Sequence, residues 1–183
     1  MTSAERIKKV LIVVIDSGID TSVSDLNNYV FKSTGYRVNE EGYIAEFPEI
    51  KNSEIHGSAI SLIIREYCKN VELISINILN EKLTTDSRVM IYAMNEALKL
   101  NPHIIHMSMG TTKRKYRKYI QEIVTEAKEK NIMVVAACNN MGFKSYPAFI
   151  DGVIGVKSVK CSETTNSSFY KKNRFDLCPL TDV

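Results

Sequence analysis

The run Val10-Leu11-Ile12-Val13-Val14-Ile15-Asp16-Ser17-Gly18-Ile19-Asp20 decides how the rest of the chain reads. Val10–Ile15 is continuously apolar and rich in β-branched residues, and it stops abruptly at Asp16-Ser17-Gly18. That is the pattern of a strand buried on both faces, and such a strand needs helices above and below it. Similar short runs recur at Leu73–Asn77, Ile104–Met107, Met133–Ala136 and Val153–Val156. Amphipathic stretches separate them, so an α/β domain with a mostly parallel sheet is expected. The helix over Gly57–Tyr67 is expected to bury Ala59, Ile60, Ile63, Ile64 and Tyr67. The helix over Asp86–Leu100 is expected to bury Val89, Met90, Ala93, Met94, Ala97 and Leu98, with Thr85 or Asp86 as its cap. A third, Lys113–Lys130, is expected to bury Tyr116, Ile120, Ile123, Val124 and Ala127. Val38-Asn39-Glu40-Glu41-Gly42-Tyr43 breaks the alternation and reads as a turn, which places a β-hairpin excursion near residues 29–47.

Composition narrows the classes. With 183 residues, 44% apolar and 25% charged, the chain is expected to form one domain over 1–183, and a collagen-like or disordered chain is excluded. The longest apolar run, Val10–Ile15, is too short for a membrane span, and Met1–Lys9 shows no signal-peptide pattern. A cytoplasmic protein is the expectation. A net charge of +3 is no nucleic-acid footprint, and Lys113, Arg114, Lys115, Arg117 and Lys118 read as the solvated start of a helix. Cys68, Cys138, Cys161 and Cys178 lack metal or redox spacing and are expected to be reduced thiols. His103 and His106, three apart on a strand, face opposite sides, so no shared metal is expected, and no cofactor.

In open α/β sheets, functional groups gather beyond the carboxyl ends of the strands. Asp16, Ser108-Met109-Gly110 and Cys138-Asn139-Asn140 fall at such ends, and His56-Gly57 opens a helix that would face the same rim. An aspartate, a histidine and an asparagine amide are the parts of an acyl-transfer site without its nucleophile. Cys138 is a poor replacement, because nothing near it in sequence would depress its pKa.

These segments carry a resemblance to the subtilisin-like serine peptidases, the subtilases. Val13–Asp20 resembles the family's aspartate motif, and His56-Gly57-Ser58 resembles its His-Gly-Thr motif at a helix start. Ile104–Gly110 is similar to the strand the family reads as Val-Ile-Asn-Met-Ser-Leu-Gly, and Val134–Asn139 to Val-Val-Ala-Ala-Gly-Asn. Tyr146-Pro147-Ala148, Val153–Val156 and Ser168-Phe169 continue in the family's order, over roughly Lys9 to Phe175. The resemblance implies a three-layer, doubly wound, subtilisin-like sheet. It implies that Asp16 orients His56, that His56 is general base and acid, and that the Asn139 amide donates to an oxyanion, with Asn140 offering the same group in a shifted register. Ser108, Met109 and Gly110 would pair with an extended peptide, and Ala136, Ala137 and Cys138 would line the neighbouring pocket.

The departures are equally specific. Ile55 stands before His56 where glycine is usual, Ala59 replaces a second histidine, Cys138 replaces glycine, and His106 replaces a buried asparagine. The family's Gly-Thr-Ser-Met-Ala motif, which carries the nucleophile, has no counterpart: only Gly57 and Gly110 precede a serine or threonine, and both belong to other motifs. Phe175–Pro179 resembles the stretch before that motif. The expectation is a peptidase component acting on peptides or proteins, its serine supplied by a partner chain. The alternative is a non-catalytic pseudopeptidase that binds a peptide or partner protein. A dehalogenase-type phosphoryl-transfer site is excluded, because Gly18 stands where its second acid belongs. Either way, a second chain or another copy is expected to cover the apolar groove that the missing helix would leave.

Overall fold

The computed structural model describes residues 9–48, 55–159 and 174–177. The Ser168-Phe169 and Cys178-Pro179 matches lie outside the described residues. The chain divides into two compact units, Met1–His106 and Met107–Val183.

In the first unit the strands are β1 (Val10–Asp16), β2 (Val30–Val38), β3 (Ile44–Phe47), β4 (Val71–Asn77) and β5 (Ile104–Met107, its last residue across the unit boundary), in the spatial order β3-β2-β4-β1-β5. β1 and β2 both run parallel to β4, while β3 closes a hairpin on β2. The hairpin expected near residues 29–47 is formed by β2 and β3 and joins the sheet at its edge. The β1–β4 register runs from Val10 opposite Val71 to Asp16 opposite Asn77. Val13 and Ile15 are buried on the same strand as Ile12 and Val14, so β1 is covered on both faces, as its unbroken apolar run requires.

Two helices cover this unit. α1 (His56–Tyr67) packs on β1, where Ile60, Leu62 and Ile64 meet a core of Ile12, Val14, Ile19, Leu26, Val71 and Leu73. The fully buried face of α1, however, is Gly57, Ser58 and Ser61. This corrects the expected buried set: Ile60 and Ile64 are half-buried, while Ala59, Ile63 and Tyr67 are exposed. Small residues let the helix axis approach the sheet closely, and Ile63 and Tyr67 are turned outward. α2 (Ser87–Lys99) buries all six expected residues, and the Asp86 side chain caps it by accepting from the Arg88 N–H.

The second unit holds α3 (Arg117–Glu129), β6 (Met133–Ala137), β7 (Val153–Val159) and β8 (Arg174–Leu177). β7 runs parallel to β6 and antiparallel to β8. A 3-10 turn, Arg114–Tyr116, precedes α3, which buries Ile120, Ile123, Val124 and Ala127, while Tyr116 stays half-buried. The basic cluster is solvent-facing: Lys113, Arg114, Lys115, Arg117 and Lys118 are all exposed. The fold class is α/β with mostly parallel strands, as expected. Among the described residues, no helix is long and apolar enough to cross a membrane.

Candidate active site

Asp16 is the last residue of β1 and is fully buried, while the side chain of His56 is 47% exposed. A buried carboxylate needs hydrogen-bond donors to offset its lost hydration. Asp16 receives them from the Ser17 N–H at 2.6 Å and from His56 Nδ1, 2.9 Å from Oδ1 and 3.1 Å from Oδ2. With Nδ1 committed to Asp16, the imidazole keeps Nε2 for any reacting group, the tautomer a general base needs.

The approach of α1 to the end of β1 sets this geometry. Gly57 N–H donates to Ser17 Oγ at 3.1 Å, and a Cβ on Gly57 would collide with the Gly18 carbonyl oxygen. The hydroxyls around His56 serve the backbone: Ser58 Oγ accepts from the Asp20 N–H at 2.8 Å, and Ser61 Oγ donates to the Gly57 carbonyl at 2.8 Å.

His106, which sequence reasoning noted only as a replaced asparagine, belongs to this neighbourhood. It lies near the end of β5, the strand beside β1, and its buried Nδ1 has no hydrogen-bond partner. Burial pushes its pKa down, the Asp16 charge pulls it up and His56 pushes it down. The neighbour relation of β1 and β5 is the missing signal, and spacing along the chain does not carry it. His103 has a structural task, accepting the Leu11 N–H on Nδ1 at 2.9 Å. Among the described residues, no group of three His, Cys, Asp or Glu side chains is arranged to hold a metal.

In the second unit, Asn139 follows β6 and is half-buried, whereas Asn140 is exposed. The Asn139 Oδ1 accepts from the Met141 N–H at 2.8 Å, and its own N–H donates to Ser145 Oγ at 3.1 Å. This fixes the amide with its carbonyl turned to its own loop, so the NH2 group is the end available for a ligand. Ala136 and Cys138 are buried and Ala137 half-buried beside it, on β6 and its exit. Cys138 is disulfide-bonded, which corrects the expectation of a reduced thiol and removes it as a nucleophile. Cys68 is free. Ser108 and Met109 are half-buried and Gly110 exposed as the chain leaves β5. A Cβ on Gly110 would sit 2.6 Å from the Tyr146 carbonyl oxygen, and Thr111 and Tyr146 exchange two backbone hydrogen bonds of 2.8 Å.

Comparison with known proteins agrees with the fold. No curated protein sequence matches the chain. Among solved structures, the chain is similar to a lanthipeptide protease (TM-score 0.67, 21% identity, 80% of this chain and 47% of that one). It is similar to the prenylagaramide maturation protease PagA (TM-score 0.60, 17% identity, 81% of this chain and 53% of that one). It also resembles the epidermin leader peptide processing serine protease EpiP from Staphylococcus aureus (TM-score 0.66, 18% identity, 82% and 46%). The chain thus spans about half the length of each. The model of the subtilase family matches residues 7–175, and the chain belongs to that family.

Proposed function

We propose that this chain is the Asp/His and oxyanion-binding part of a peptidase whose nucleophilic serine resides on another chain. The observation that carries the reading is the hydrogen bond from His56 to the buried Asp16 in a sequence without a Gly-Thr-Ser motif. In the proposed reaction, His56 Nε2 takes the proton from the serine hydroxyl as its oxygen attacks the peptide carbonyl. Asp16 holds Nδ1–H and stabilises the imidazolium. The Asn139 NH2 group donates to the oxyanion of the tetrahedral intermediate. His56 then returns the proton to the leaving amine, and water repeats the cycle on the acyl-enzyme. Ser108, Met109 and Gly110 are proposed to pair with the peptide backbone, and Ala136, Ala137 and Cys138 to line the pocket for one of its side chains. The structural neighbours named for maturation and leader-peptide processing make a peptide substrate the natural class.

The committed hydroxyls of Ser58 and Ser61 favour a second reading, a subtilase domain that binds a peptide without cleaving it. Peptide hydrolysis by the chain combined with a serine-bearing subtilase segment separates the two. The peptidase reading expects activity that His56→Ala abolishes and that Asn139→Ala lowers by roughly 100- to 1,000-fold. Binding of the peptide without cleavage in any combination leaves the second reading.

A further inference from the structure

The ladders on either side of β4 both stop at Asn77, which stands opposite Asp16 of β1 and Gly35 of β2. One bond continues past that point: the Ile78 N–H donates to the Asp16 carbonyl at 2.9 Å. The backbone that carries the Asp16 carboxylate therefore depends on where the chain runs as it leaves β4. A strand end beyond its ladder frays unless other groups hold it. Arg37 of β2 holds this one. Its Nη1 donates to the Tyr36 and Asn77 carbonyls, each at 2.8 Å. Its Nη2 donates to Asn77 Oδ1 at 2.8 Å and to the Leu79 carbonyl at 2.6 Å. Gly35, two residues earlier on the same face of β2, keeps that approach open, since a Cβ there would stand 3.2 Å from the Asn77 carbonyl oxygen.

We propose that Arg37 is a positioning residue for the Asp16–His56 pair, strapping Asn77 and Leu79 so that Ile78 between them holds the Asp16 backbone in place. The inference rests on the function proposed above and adds a residue outside every motif of that site. Three of the four acceptors belong to the chain leaving β4, and they bracket Ile78. None of the four is a carboxylate, although burial pushes the Arg37 pKa down and an ion pair would oppose that more directly. A guanidinium spent on carbonyl oxygens at a strand end acts as a clamp, because its rigid fork fixes several acceptors at once. Both terminal nitrogens are committed to the protein, which leaves Arg37 poorly suited to anchoring an acidic ligand. Asp16 in turn meets His56 Nδ1 at 2.9 Å. A misplacement of about 1 Å at such a pair can cost roughly 100-fold in rate, so a strap on the Asp16 backbone bears on the chemistry.

The test is NMR of isotope-labelled His56 in the 183-residue chain, read as its Nδ1–H signal and the proportion of the two neutral tautomers. The unaltered protein is expected to hold the Nδ1–H tautomer. Arg37→Met removes all four bonds, and is expected to lose the sharp Nδ1–H signal and populate both tautomers. Arg37→Lys, with one donor nitrogen in place of two, is expected to fall between them. Ile120→Val in the buried face of α3 lowers stability away from this region and is expected to leave His56 unchanged. Unchanged His56 signals in Arg37→Met, or in Arg37→Lys if Arg37→Met does not fold, would overturn the proposal. The same loss of signal in Ile120→Val would overturn it too. Fluorophosphonate labelling in a mixture with a separate serine-bearing subtilase segment distinguishes this result from the peptidase reading. Labelling is expected to fall about tenfold or more in Arg37→Met, and full labelling there would also overturn the proposal. No labelling even with the unaltered protein, beside the expected NMR outcome, removes the chemistry and keeps the positioning of His56.

Discussion

The Asp16 side chain is fully buried, and it depends on hydrogen bonds that include those from the Ser17 N–H and His56 Nδ1. The same dependence makes His56 a base of one fixed tautomer, since only Nδ1 faces the carboxylate. His106 adds a pH dependence at this scale. Its folded pKa lies below the ordinary value of 6.5, chiefly because burial disfavours the cation. The unfolded chain therefore binds a proton more readily, and the associated stability is full above about pH 6.5 and is lost as pH falls below it. Urea denaturation at pH 7.5 and pH 5.5 should show a larger loss of stability in the unaltered chain than in His106→Asn. Equal losses would show that His106 is not held neutral by the fold. The pairing of Asp16 with His56 was legible in the sequence because each residue sits in a recognisable motif. The nearness of His106 was not, because it depends on which strand lies beside β1.

The two helices of the first unit show why one hydropathy pattern can be right and wrong in the same chain. α2 lies on β1 and β2 with one broad apolar face, so period 3.6 identifies its six buried residues. α1 meets the sheet through Gly57, Ser58 and Ser61, where close approach matters more than apolar area. Hydropathy has no signal for closeness, so it assigned the outward residues to the core. Gly57→Ala should test this contact, because the added methyl meets the Gly18 backbone, which has little freedom to yield. The expected loss is about 1–3 kcal/mol by urea denaturation, with displacement of the His56 ring. A loss near zero would mean that α1 shifts freely on the sheet. Asp86→Ala removes the α2 cap and should cost about 1 kcal/mol in the same measurement, while Asp86→Asn should cost less. A neutral Asp86→Ala would remove the cap from the account.

For the whole molecule, the disulfide at Cys138 is the feature composition could not reveal, since four cysteines without characteristic spacing fit either redox state. Alkylation of the denatured, unreduced chain should modify Cys68 and spare Cys138, and prior reduction should expose both to the reagent. Modification of Cys138 without reductant would contradict the bond. The family was readable from ordered motifs. The outward placement of Ile63 and Tyr67 on α1 was not, because an exposed face becomes visible only once the helix is packed. The central claim is that this chain activates a serine it does not itself carry. The most direct test is to map by mass spectrometry the adduct a fluorophosphonate leaves on the 183-residue chain mixed with a separate serine-bearing subtilase segment. The account predicts an adduct on a serine of the added segment, absent when either chain is treated alone and absent with His56→Ala. An adduct on a serine of the 183-residue chain itself, or none in the mixture, would contradict it.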